Sequence, residues 1–168
     1  MCEVDYISII IAGFQGNDNS SKRLLDYLRF DNIFKIYLEN NKEKCVKQVL
    51  DVIKDGDIMI AFGQKPVLKD KISIELAGKS KDSATTTRYP YNDILSFCRG
   101  RYQTKVSTNA GTSYCNHLYY SIMEYCEVHK IDLQMIFIHI PLLNHISDFQ
   151  YLANSIQEYI HSLIIKRM

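Results

Sequence analysis

The residues of this chain best suited to chemistry stand in two short stretches. The first is Thr108-Asn109-Ala110-Gly111-Thr112-Ser113-Tyr114-Cys115-Asn116-His117, a small-residue loop that delivers a cysteine to the start of a helical pattern. The second is Phe137-Ile138-His139-Ile140-Pro141, an apolar run that closes on a histidine and a proline. A thiol and an imidazole on separate elements in that order suit a Cys–His nucleophile pair. At the head of a helix, Cys115 feels the positive end of the helix dipole, which predicts a lowered pKa and a thiolate. Its own N–H is a candidate oxyanion donor, and Ala110-Gly111-Thr112 lets a carbonyl approach the backbone. His139 is the candidate base toward the thiol and acid toward a leaving amine. Glu75 ends the strand pattern Ile72-Ser73-Ile74-Glu75 and offers a carboxylate to orient that histidine.

Each residue also has a plainer reading. Cys115 fits a core thiol packed beneath Tyr119, and His139, after Met135-Ile136-Phe137-Ile138, fits a buried structural histidine. Glu75 fits a solvated strand end. His117, two positions past the cysteine, points to another helix face and ranks below His139. His129, His145 and His161 read as surface or loop residues. HExxH, paired Cys/His spacing, a P-loop and GxGxxG are all lacking, so neither a metal nor a cofactor is expected. Lys65, Lys69, Lys71, Lys79 and Lys81 are interspersed with acids and read as a solvated face.

The elements that must position these groups alternate. Tyr6–Ala12, Ile33–Leu38, Ile58–Phe62, Ile72–Leu76, Thr104–Ser107 and Leu133–His139 read as strands. A helix capped by Ser20 or Ser21 runs to Arg29, and others cover Lys42–Ile53, Tyr91–Arg99, Tyr114–His129 and Asp148–Ile165. Gly63–Lys71 reads as loop, and the Ser/Thr-rich stretch Gly78–Pro90 as the least structured part. Such alternation predicts an α/β fold, a three-layer α/β/α sandwich with a mostly parallel sheet. Ligands of such sheets sit outside strand carboxyl ends, and both Cys115 and His139 fall just after one.

Composition bounds the partners. A chain of 168 residues suits one domain spanning 1–168. With 20 basic and 19 acidic residues, the net charge of +1 gives no electrostatic footprint for nucleic acid or an anionic membrane. No apolar run approaches a membrane span, and Met1-Cys2-Glu3-Val4-Asp5 lacks the basic region of a signal peptide. The five cysteines are odd in number and without CxxC spacing, which reads as free thiols in a reducing cytoplasm. Cys45, Cys98 and Cys126 fall in helical patterns, as packing residues.

At the residues quoted above, the sequence resembles the type I pyroglutamyl peptidases, the pyrrolidone-carboxylate peptidases. Val106 to Asn116 is similar to the family's SxxAGxxxCN motif, and Phe137 to Pro141 to its FIHxP motif. Gly63-Gln64 with Ile72 and Glu75 resembles its GQ…IxxE segment, and Ala12-Gly13-Phe14 its TGF segment. The resemblance implies Cys115 as nucleophile, His139 as base and acid, Glu75 as carboxylate partner, and Phe14 and Gln64 as holders of a pyroglutamyl ring. It implies an α/β/α sandwich, removal of an N-terminal pyroglutamyl residue from peptides, and a homo-oligomer, commonly a tetramer. Small peptides or N-acyl amides are then the expected substrates.

The chain departs from the family pattern around that trio. GFxPF becomes Gly13-Phe14-Gln15-Gly16-Asn17, and Ser113 and Tyr114 replace other apolar residues as candidate pocket walls. The segment after Glu75 is shortened, and Thr85 stands at the family's arginine, with Arg88 as the candidate substitute. Two alternatives therefore stand beside a pyroglutamyl peptidase. One is a cysteine amidohydrolase with another acyl substrate; the other is a catalytically silent homologue that binds a small molecule or peptide.

Overall fold

The computed structural model describes residues 8–99 and 102–166, and of 97–99 the backbone alone. Cys2, Tyr6, Ile7 and the side chain of Cys98 lie outside the described residues. Three strands built on continuous apolar runs (9–14, 58–63 and 135–138) make the middle of the sheet: β1 (Ile9–Phe14), β3 (Ile58–Gln64) and β8 (Gln134–Ile140). Side chains alternate between faces along a strand, so runs apolar at every position must be covered on both faces. Ile9 and Ile11 of β1 enter one core cluster with Leu24, Leu25, Leu28, Ile156 and Ile160; Ile10, Ala12 and Phe14 enter another with Cys45, Val49, Leu118 and Ile122. Helices α1 (Ser20–Tyr27), α3 (Asn92–Arg99) and α5 (Phe149–Ile165) thus cover one face, and α2 (Lys42–Leu50) and α4 (Tyr114–His129) the other. The expected three-layer α/β/α sandwich is the observed one.

With β2 (Phe34–Leu38), β4 (Lys71–Glu75) and β7 (Gln103–Ser107), the sheet order is β2-β1-β3-β8-β4-β7. All pairs are parallel except β4 with β8. The reversal follows from chain length: residues 65–70 are too few for the crossover a parallel return needs. It also changes the route to the nucleophile. The carboxyl end of β7 pairs at Ser107 with Glu75, and Glu75 with Phe137, so it lies level with the middle of β8. Residues 108–113 then carry the chain to α4. His139 lies inside β8, not after it.

The stretch expected to be least structured is a hairpin, β5 (Ala77–Lys79) paired with β6 (Ala84–Thr86). It is laid on α4: a Cβ on Gly78 would come within 2.6 Å of the Tyr120 nitrogen. Asn116 ties the two together, accepting from the Lys79 N–H at 2.9 Å and donating to the Lys79 carbonyl at 2.7 Å. The cap of α1 is Asn19, whose side chain accepts the Ser21 N–H at 2.9 Å. Ser20 and Ser21 are buried instead, with the Ser21 hydroxyl accepting from the Phe14 N–H. Among the described residues no helix is long and apolar enough to cross a membrane.

Candidate active site

Strand register assembles the site. Gly63 pairs with His139 across β3 and β8, Ser73 with His139 across β4 and β8, and Glu75 with Phe137. Paired residues share a face, so Gly63, Ser73, Glu75, Phe137 and His139 all face the side that α4 covers. Glu75, expected at a strand end, is fully buried rather than solvated. Its Oε1 accepts the His139 ring Nδ1–H at 2.8 Å, the Ser73 hydroxyl at 2.9 Å and the Lys65 ammonium at 3.2 Å. Burial works against the charge, but the hydrogen bond from His139 leads the effects that overcome it, and Glu75 is held at about 2. A carboxylate there fixes the proton on Nδ1 and leaves Nε2 as the acceptor. Burial also pushes the His139 pKa below its ordinary value, against the opposing pull of Glu75, which favours the neutral base form.

Cys115 is the second residue of α4 and is 7% exposed. A Cβ on Gly63 would stand 2.5 Å from Cys115 Sγ, so the thiol rests directly on the glycine. Adjacent strands lie about 4.8 Å apart, which puts Sγ no more than about 7 Å from His139 Cβ, within reach of the imidazole. Nothing larger than glycine leaves the thiol this place. The helix dipole does not set the resting state: burial pushes the thiol up to about 12, outweighing the hydrogen bond from Ser113 that pulls the other way. In place of the expected thiolate, the resting site holds a neutral thiol on the side of the sheet where the neutral imidazole lies. Ser113, the N-cap of α4, makes no capping hydrogen bond, and the first N–H groups of any helix lack intrahelical acceptors. The Cys115 N–H is thus available to an oxyanion.

A cavity of about 160 Å³ opens beside the thiol. Phe14, Gln64, Ser113 and Tyr114, all singled out from the sequence, line it together with Cys115. Phe14 is buried and Tyr114, 41% exposed, tilts over it at 6.3 Å between ring centroids. The Gln64 carbonyl accepts from the Ser20 N–H at 3.2 Å, leaving its amide NH₂ as the end for a ligand. Asn19 and Asn40 also line the cavity and escaped the sequence reading. Their signal was weak, since turn asparagines are usually structural. An apolar cavity near 150 Å³ accepts benzene, so this one suits a single small ring.

Arg88 is not part of this site, contrary to the expected substitution for the family's arginine. With Thr85 it lines a separate depression formed with Cys126 and Glu127 near the far end of α4. At 1.5 Å per residue that lies about 16 Å along the helix from Cys115. The hairpin carries residues 84–88 away from the loop before α4. A cation that does reach the site is Lys65, read from the sequence as part of a solvated face. Its Nζ also reaches the Asn109 carbonyl at 3.1 Å.

Fold and site together define an α/β sandwich built around a thiol, an imidazole and a carboxylate. Residues 81–151, which include Cys115 and His139 but not Glu75, match the family model described as pyroglutamyl peptidase. The chain is 34% identical over 99 residues to pyrrolidone-carboxylate peptidase 1 of Caldanaerobacter subterraneus. That match covers 58% of this chain and 46% of the relative, a little under half its length. The pyrrolidone carboxyl peptidase from Thermococcus litoralis shares the fold with a TM-score of 0.75, over 93% of this chain and 92% of that one, at 16% identity. Pyroglutamyl peptidase I of Bacillus amyloliquefaciens does so with a TM-score of 0.76, over 92% and 95%, at 18% identity. The chain resembles the pyroglutamyl peptidases in sequence around Cys115 and His139, and in fold throughout.

Proposed function

We propose that this chain is a cysteine peptidase that removes an N-terminal pyroglutamyl residue from small peptides. The observation that carries the reading is the hydrogen-bonded Glu75–His139 pair on the same sheet face as a thiol seated on Gly63. In this reading the lactam ring enters the 160 Å³ cavity against Phe14, with Gln64 donating to the ring carbonyl and Tyr114 over the mouth. His139 Nε2 takes the Sγ proton, and sulfur attacks the acyl carbonyl carbon. The Cys115 N–H receives the developing oxyanion. The tetrahedral adduct then breaks its C–N bond, and the imidazolium protonates the leaving amine. Water, deprotonated by His139, cleaves the thioester and restores the thiol. The family match and the similarity to pyrrolidone-carboxylate peptidase 1 support the assignment. We also place the chain in a reducing compartment, in keeping with the free thiols of Cys45, Cys115 and Cys126.

Hydrolysis of pyroglutamyl-aminomethylcoumarin by the wild type, with none by Cys115→Ala, is the expected result. Turnover retained by Cys115→Ala rules out the mechanism. A second reading keeps the chemistry and changes the acyl group. The amides of Asn19, Asn40 and Gln64 and the hydroxyl of Ser113 make a polar rim suited to a neutral group with more hydrogen-bonding atoms than a lactam. Release from other N-acyl amides, with none from pyroglutamyl ones, would favour it.

A further inference from the structure

Three chain segments carry the thiol, the imidazole and the carboxylate, and Lys65 is bonded to all three. Its backbone N–H donates to the Ile140 carbonyl at 2.9 Å, next to His139 on β8. Its ammonium donates to Glu75 Oε1 on β4 and to the Asn109 carbonyl in the loop that leads to Cys115. That loop is itself shaped around Asn109. The Asn109 side chain accepts the Gly111 N–H at 3.1 Å, and the Ser107 hydroxyl accepts the Asn109 N–H at 3.0 Å. Gly111 turns the chain at a φ of +89°, a conformation that favours glycine. The ammonium therefore reaches a loop with a defined shape, and its side chain is only 21% exposed.

We propose that Lys65 is a positioning residue of this site, clamping the nucleophile loop to the Glu75 carboxylate and keeping His139 in its neutral, proton-accepting form. The inference rests on the peptidase reading for its kinetic consequence, not for its structural one. A buried carboxylate held by a neutral imidazole and the Ser73 hydroxyl, with no cation beside it, draws a proton onto that ring. A cation on the same oxygen takes up part of the charge and weakens the pull. Among the described residues, the charged or titratable groups around the ring are Glu75 from β4, Lys65 after β3, Lys105 from β7, and the thiol of Cys115 and the phenol of Tyr119 from α4, the phenol donating to the Glu75 carbonyl. Both lysines act to lower the His139 pKa, and Glu75 acts to raise it. Lys65 alone of the two lysines touches the carboxylate.

The test is the titration of His139, followed by NMR of ¹³C-labelled histidine with His139→Asn for assignment, in the wild type, Lys65→Met and Lys65→Arg. Lys65→Gln replaces Lys65→Met if the latter does not fold. The clamp predicts that removing the charge moves the His139 titration to higher pH and that arginine holds it near the wild type. Where the chain turns over a pyroglutamyl substrate, kcat/KM of Lys65→Met falls about tenfold or more, mainly in kcat. The acid limb of its pH profile then moves in the same direction as the NMR titration. An unchanged His139 titration in Lys65→Met overturns the proposal. Because the titration needs no substrate, a chain silent toward pyroglutamyl amides refutes the peptidase reading and leaves this test intact.

Discussion

Gly63→Ala probes the seat of the nucleophile with one carbon. The added Cβ would fall 2.5 Å from Cys115 Sγ and 3.0 and 3.1 Å from two ring carbons of Phe137. A comfortable carbon–sulfur contact is near 3.5 Å, on the order of ordinary van der Waals separations. The sulfur must therefore retreat by about 1 Å, or the strand must shift. Alanine at an unstrained strand position usually gains about 0.5–1 kcal/mol over glycine, because it narrows the unfolded ensemble. Here overpacking of a closed site costs about 1–3 kcal/mol and outweighs that gain. A displacement of about 1 Å at the reacting atom is enough to cost about a hundredfold in rate. Urea unfolding followed by circular dichroism reads the first number, and pyroglutamyl-aminomethylcoumarin hydrolysis the second. A folded Gly63→Ala chain with wild-type stability and kcat/KM within threefold of wild type refutes the placement of the thiol against β3.

The other expectations follow from the charges and from the hairpin. Glu75 is held at about 2, below its ordinary 4.5. The unfolded chain thus takes up the proton first as pH falls, and stability present above about pH 4.5 is lost on the way to pH 2. Glu75→Gln should flatten that acid loss in urea titrations at several pH values, and an unaltered pH dependence counts against the charged pair. Cys115, a buried thiol at about 12, should react slowly with iodoacetamide at pH 7 and faster as pH rises toward 11. Rapid labelling at pH 7, absent from Cys115→Ala, would restore the thiolate picture. Arg88→Ala should leave turnover within twofold, since Arg88 lies near the other end of α4. A tenfold loss would put it back at the site.

Periodicity made most of the frame legible. The helix Tyr114–His129 is legible because Leu118, Ile122 and Cys126 repeat at helical spacing. The runs at Ile58 and Met135 announced central strands because only strands covered on both faces are apolar throughout. Direction is another matter. The alternation in Ile72–Glu75 identifies a strand but not which way it runs, and only the short link from Gln64 hinted at reversal. The hairpin over 77–86 was missed because its apolar contribution is small. Ala77 and Gly78 pack by being small, and its serines bond to one another and to Tyr120. The resting state of Cys115 was misjudged for a similar reason. A helix start is visible in sequence, whereas the burial that overrides its dipole comes from Gly63 and Phe137, far away along the chain. Lys65 was unreadable as a site residue because its two ammonium partners, Glu75 and Asn109, are joined to it only by the fold.

A thiol near 12 beside an imidazole below its ordinary 6.5 raises the question whether this pair can work at neutral pH. From those separate positions, moving the proton from sulfur to nitrogen is uphill. The opposite charges so created attract one another, which recovers part of that cost. The ion pair is then a minor state of the resting site. Glu75 is already part of that balance: its carboxylate holds Nδ1–H and pulls the ring toward the imidazolium. The uncapped head of α4 acts from the other side, on the thiolate. Slow alkylation of the resting thiol is therefore what an active site of this construction would show, and does not mark the chain as silent. What separates the two cases is whether filling the cavity beside Phe14 and Gln64 changes that reactivity. In a working site, a bound pyroglutamyl amide orients its carbonyl onto sulfur and draws the proton across. In a silent one, the same ligand only shields Cys115.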